Sequence, residues 1–90
     1  MTIYTIRNKD ELKKLIVNGI SPRKTLAFDI FGYIVTVTLT YDSEMELIFV
    51  VDNGCNGKKS YYENEWEKFT AYLDMLFDTY QKNLMSIKKI

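Results

Sequence analysis

Residues 33–51 read YIVTVTLTYDSEMELIFVV, and their period decides the fold. Tyr33, Val35, Val37, Leu39 and Tyr41 alternate with Ile34, Thr36, Thr38 and Thr40. Beyond Asp42 and Ser43, Met45, Leu47, Phe49 and Val51 alternate with Glu44, Glu46, Ile48 and Val50. A period of two places successive side chains on opposite faces of a strand, so the stretch predicts two half-buried strands joined near Asp42–Ser43. Setting Tyr41 against Met45 brings Leu39 to Leu47, Val37 to Phe49 and Val35 to Val51, which makes one face wholly apolar. A one-residue slip would put that face out of phase.

Upstream of this stretch, Leu26, Phe28 and Ile30 keep the period but change phase at Phe31–Gly32. That predicts a third strand turning into the second at a bulge or tight turn. Residues 2–6, TIYTI, are β-branched and aromatic and predict a further short strand. Asn8, with Glu11 three positions on, has the form of a capping box that starts a helix near Lys9. Leu12, Leu15 and Ile16 share its inner face, and Gly19 is expected to end it in a left-handed conformation. In the carboxyl-terminal third, Ser60 and Glu63 form a second capping-box pattern after a polar loop at 52–59. Tyr62, Trp66, Phe69, Leu73, Leu76, Phe77, Tyr80 and Leu84 then form a narrow stripe at helical spacing. The expected fold is α+β: one domain over residues 1–90, an antiparallel sheet of three to four strands, a short N-terminal helix and a long amphipathic C-terminal helix packed on the sheet. Trp66, Phe69, Leu73, Leu76 and Tyr80 should pack on Val35, Val37, Leu39, Leu47 and Phe49.

Composition narrows the function classes. The 90 residues carry 12 Lys+Arg against 12 Asp+Glu, a formal net charge of +0. Direct nucleic-acid binding, which draws its affinity from excess positive charge, is not expected. No apolar run approaches the ~18–20 residues of a membrane span, and the amino terminus lacks the pattern of a secretory signal. A cytoplasmic protein follows by default. With one cysteine, Cys55, and no histidine, neither an internal disulfide nor the usual zinc ligand sets can be assembled, and no metal or cofactor is expected. Aromatic residues make up 14%, seven of them tyrosine, a side chain suited to surfaces that are part apolar and part hydrogen-bonding.

The loop Asn53-Gly54-Cys55-Asn56-Gly57-Lys58-Lys59-Ser60 stands between a strand and a helix, as phosphate-binding loops do. A P-loop needs a longer gap between its glycines and a Ser or Thr directly after the lysine, so this segment reads as a turn with glycines at positive φ. The GxxG of Gly54–Gly57 matches a KH loop in letters only, because a strand leads into it. Cys55 near two lysines lacks a histidine base and reads as a surface thiol. No catalytic residue is assigned. Asp42, Glu44 and Glu46 cluster on the hairpin, whereas Glu63, Glu67, Asp74 and Asp78 fall within roughly 60° of one helix flank, along a line of about 22 Å. A stripe of this kind is a solvated flank or a recognition surface for a basic protein partner such as a nucleic-acid-binding protein. Tyr72 completes this candidate set as an aromatic contact. The second face of the hairpin, with Thr36, Thr38 and Thr40 beside Ile34, Ile48 and Val50, is apolar enough to require a cover, either the first helix or a partner.

In length, helix–hairpin–helix layout and acidic helix flank, the chain resembles small phage-encoded inhibitors of bacterial defence, including anti-CRISPR proteins of the Cas9-blocking type. The resemblance implies a small non-enzymatic binder that inhibits or modulates a larger protein. A homodimeric assembly protein is the alternative. A helix from Tyr61 to Lys88 would run about 42 Å against about 33 Å for a roughly ten-residue strand, so Tyr80, Leu84 and Ile87 would pair with a second copy unless the helix broke near Asn83.

Overall fold

The computed structural model describes residues 2–54 and 57–88, the last two as backbone only. The elements are β1 (Ile3–Ile6), α1 (Lys9–Gly19), β2 (Lys24–Ile30), β3 (Tyr33–Tyr41), β4 (Leu47–Asp52), β5 (Lys58–Tyr62), a 3-10 turn at Glu63–Glu65 and α2 (Trp66–Lys88). The strands form one five-stranded sheet in the order β1-β2-β3-β4-β5. The pairing is antiparallel throughout except for β1, which lies parallel to β2 after the α1 crossover. The fold is therefore the expected α+β arrangement with one more strand and one parallel pair.

Each junction follows from local chemistry. Asn8 Oδ1 accepts the Glu11 N–H at 2.8 Å and starts α1. Gly19 is its last residue and does not take the expected left-handed turn; the Ile20 N–H bonds the Ile16 carbonyl at 3.0 Å and closes the helix. The β2–β3 turn is the two-residue loop Phe31–Gly32, with φ of 53° and 92°. Two consecutive positive φ values are the mark of a type I′ hairpin, and such a loop produces the phase change seen in the sequence.

The β3–β4 register differs from the expected one by two residues: Tyr41 faces Leu47, Leu39 faces Phe49 and Val37 faces Val51. A two-residue slip keeps the apolar face intact, so periodicity alone could not choose between the two. The loop chooses. Asp42 accepts the N–H groups of Glu44 and Glu46, both at 2.9 Å, and Met45 takes φ of 65°. Met45 is thereby a loop residue in solvent instead of a strand partner of Tyr41.

The segment around Ser60 is also corrected. Lys58–Tyr62 is an edge strand paired with β4, and Ser60 lies in its middle, not at a helix N-cap. The start of the helix is marked instead by the Glu65 carboxylate, which accepts the Tyr62 N–H at 2.9 Å. As a result α2 begins at Trp66 and has 23 residues. At 1.5 Å per residue it spans about 35 Å, much closer to the length of the sheet than the expected helix.

Both helices lie on one face of the sheet. Ile6, Leu12, Ile16, Leu26, Phe28, Ile30, Val35, Val37, Leu39, Phe49, Val51, Phe69, Leu73, Leu76, Phe77 and Tyr80 belong to a single core, with Leu47 and Trp66 packed at its margin. The expected packing of α2 on β3 and β4 is thus present. Because α1 docks beside α2, it leaves the opposite face of the sheet uncovered, contrary to one of the two covers foreseen for it.

Candidate functional site

Four of the acidic residues singled out in the sequence follow one another along the 3-10 turn and α2, but they do not form a free stripe. The Asp78 carboxylate lies 2.8 Å from Lys9 Nζ, and that of Asp74 lies 3.0 Å from Lys13 Nζ. Lys9 and Lys13 are one turn apart on α1, as Asp74 and Asp78 are on α2, so the two helices join by matched charge. The hydrogen bond to Asp78 holds the Lys9 ammonium above its ordinary pKa. Glu67 and Glu63 remain exposed. Replacing Asp74 and Asp78 together by lysine sets cation against cation between α1 and α2. We expect a lower Tm in thermal melts, whereas Glu67→Lys should leave Tm near the wild-type value.

The hairpin acids come together with Glu63 instead. Glu44, Glu46, Leu47, Tyr62, Glu63 and Asn64 line a shallow depression of about 370 Å³ where the β3–β4 loop meets the end of β5. Asp42 sits beside it. Backbone N–H bonds from Glu46 and Glu44, together with the Tyr62 hydroxyl, hold the Asp42 carboxyl below its usual range. The bond to Asp42 and the nearby negative charge of Glu44 and Glu46 raise the Tyr62 phenol above its own. Among the described residues, no cation forms an ion pair with Glu44, Glu46 or Glu63. None of the described His, Cys, Asp or Glu side chains group as metal ligands.

Three other candidates are placed differently from their expected roles. Tyr72 is 7% exposed and belongs to the core; its hydroxyl accepts the Asn53 Nδ2–H at 3.1 Å, and Lys59 Nζ lies 5.0 Å from its ring centre. Tyr80 is equally buried within its own protomer, stacked on Tyr33 with ring centres 4.1 Å apart. It is not available to a second copy. Leu84 is half-buried, and the side chain of Ile87 lies outside the described residues, as does Cys55. The helix runs unbroken past Asn83, whose Nδ2 donates to the Tyr33 hydroxyl at 3.3 Å, so the foreseen break does not occur.

The uncovered sheet face is a further candidate surface. Register assigns it Ala27, Thr25, Thr36, Thr38, Thr40, Ile34, Ile48, Val50, Ser60 and Tyr62. Thr25 and Thr38 share a hydrogen bond across the strands at 2.8 Å, and Ile34 and Tyr62 are each 46% exposed. At the center of this face the side chains are small, β-branched and uncharged. Charge enters at its margins, through Asp29, Asp52 and Lys58 and through the acidic depression.

Sequence reasoning missed β5 and the buried Asn53. A usable signal was present: the run Val50-Val51-Asp52 is separated from Lys58 by a short loop with glycines at both Gly54 and Gly57, which take φ of 75° and 80°. A short loop containing glycine between two runs marks a hairpin.

Among the described residues no helix is long and apolar enough to cross a membrane. Comparison of the chain with protein-family models, with curated proteins and with solved structures finds no match.

Proposed function

We propose that this chain is a small non-catalytic protein-binding module that inhibits or modulates a larger protein, with the uncovered sheet face as its contact surface. The observation that carries this reading is the composition of that face. Five strands present Ile34, Ile48, Val50 and Tyr62 among threonines, with every helix on the other side. A broad unpartnered face of uncharged side chains, apolar at Ile34, Ile48 and Val50 and with an exposed tyrosine at its edge, has the character of an interaction surface. The acidic flank supports the reading less, since Asp74 and Asp78 are already paired within the chain. The form of partner proposed is a nucleic-acid-handling protein of host defence that meets this face.

The test is capture from host lysate by wild type and by a Thr38→Arg, Val50→Arg variant. Both positions lie half-buried on the uncovered face and Thr38→Arg gives up the bond to Thr25, so the variant should keep the wild-type circular dichroism spectrum with a modestly lower Tm. A discrete partner held by the wild type and lost by the variant is the expected outcome. Equal capture by both would remove the sheet face from the interaction. The alternative, a homodimeric assembly protein joined through its C-terminal helix, keeps one supporting observation. Helix α2 continues past Asn83 with Leu84 half-buried and Met85 55% exposed.

A further inference from the structure

Strand β5 pairs with β4 on one side and, among the described residues, with nothing on the other. Its register places Lys58, Ser60 and Tyr62 on the uncovered sheet face and Lys59 and Tyr61 on the helix side. Lys58 is exposed at the start of the strand and makes no ion pair among the described residues. At the far end, on the same face, Tyr62 borders the depression lined by Glu44, Glu46 and Glu63. These two ends are about 13 Å apart at the rise of a β-strand, beyond the reach of a lysine side chain from one to the other.

A second copy of the same strand, run antiparallel, exchanges the ends. We infer that two copies of this chain pair edge to edge through β5, Ser60 beside Ser60, with each Lys58 entering the Glu44–Glu46–Glu63 depression of the other. Two-fold symmetry makes the contact twice. Other alignments are disfavoured by the same charges: a parallel pair would set Lys58 against Lys58 and acid against acid. Exposed edge lysines of this kind normally discourage sheet extension, and only a partner with acids at the matching position removes that penalty. The Glu65 carboxylate already takes the Tyr62 N–H, so the new ladder is centred on Ser60 and lacks that donor at each end. The product is a continuous sheet of both copies in which the two uncovered faces become one. The acids at the sheet's end then serve the second copy, and the face itself is left for the partner proposed above. The inference does not depend on that partner, because it concerns the purified chain alone.

Light scattering on the full chain tests it. The wild type should be a dimer at micromolar concentration that dissociates as salt is raised. One variant carries Lys58→Glu, the other Glu44→Lys, Glu46→Lys and Glu63→Lys. Each alone should be monomeric with a wild-type circular dichroism spectrum, and the two mixed should form a heterodimer, since only the mixture restores opposite charges at both contacts. If either variant fails to fold, Lys58→Gln replaces it and should raise the dimer dissociation constant several-fold. A monomeric wild type, a folded mixture that stays monomeric, a Lys58→Gln dimer of unchanged affinity, or a dimer abolished by Leu84→Glu would each overturn the inference.

Discussion

Replacing Phe69 by alanine is expected to destabilise the chain by about 3–5 kcal/mol, as truncation of fully buried aromatic residues does. Phe69 is 0% exposed and stacks on Phe49 with ring centres 4.5 Å apart and planes 9° from parallel. Trp66 and Tyr61 meet the same ring at 5.4 and 6.0 Å. Alanine there leaves a cavity that none of these rings can fill without breaking its other contacts, so relaxation is limited and the loss falls in the upper part of the large-to-small range. Urea denaturation monitored through Trp66 fluorescence measures it. Phe69→Leu, which keeps most of the volume, should lose less than half as much; equal losses would point to ring stacking, not cavity, as the cause.

The second large effect is Leu73→Ala, with an expected loss of about 2–5 kcal/mol. Leu73 is 0% exposed, in the middle of the α2 stripe, between Phe69 one turn before and Leu76 and Phe77 one turn after. It tests the rotation of the helix. Met75, two positions on, is 49% exposed, so Met75→Ala should change stability by a few tenths of a kcal/mol at most. Equilibrium unfolding of the two variants should therefore separate widely. Similar values would mean that α2 presents a different face to the sheet.

The fold was legible wherever a period was sustained. Strands β2, β3 and β4, helix α1 and the inner face of α2 each follow from apolar residues recurring at two or at three to four, and the structure keeps most of them inward, Met45 and Tyr62 being the exceptions. What failed to appear in the sequence has physical causes. The β3–β4 register slipped by two because the apolar faces match equally well either way, and the deciding contact is a side chain–backbone bond at Asp42 within the loop. Strand β5 escaped because Lys58, Lys59 and Ser60 have the composition of a loop. An edge strand is half solvated, and its lysines stand where water allows them.

The candidate surfaces were less legible than the fold, for a tertiary reason. A carboxylate stripe computed on an isolated helix cannot show that Lys9 and Lys13 of another helix will stand beside Asp74 and Asp78. Only the equal spacing of the two pairs, four residues on each helix, hinted at it. Similarly, Glu63 and the hairpin acids are nearly twenty residues apart in sequence and meet because β5 carries Tyr62 back to the start of β4. The bare sheet face was visible as a question, and its answer depended on which side α1 would choose. Once β1 runs parallel to β2, the α1 crossover has to pass over one face, and the apolar side of α1 finds the face already occupied by α2.

The parallel strand also shapes how the chain comes together in time. All other pairings, from β2 to β5, join neighbours through short loops and cost little loop-closure entropy. Only β1 must wait for α1 to form and cross before its ladder to β2 can close. The meander from Lys24 to Tyr62 is therefore the part able to assemble early from nearby contacts, and the first nineteen residues dock onto it as a late unit. In the native state the same asymmetry leaves β1 a four-residue strand on the sheet's edge, with Ile3 53% exposed and Ile6 anchoring it in the core. The rest of the sheet keeps its hairpins when that strand leaves.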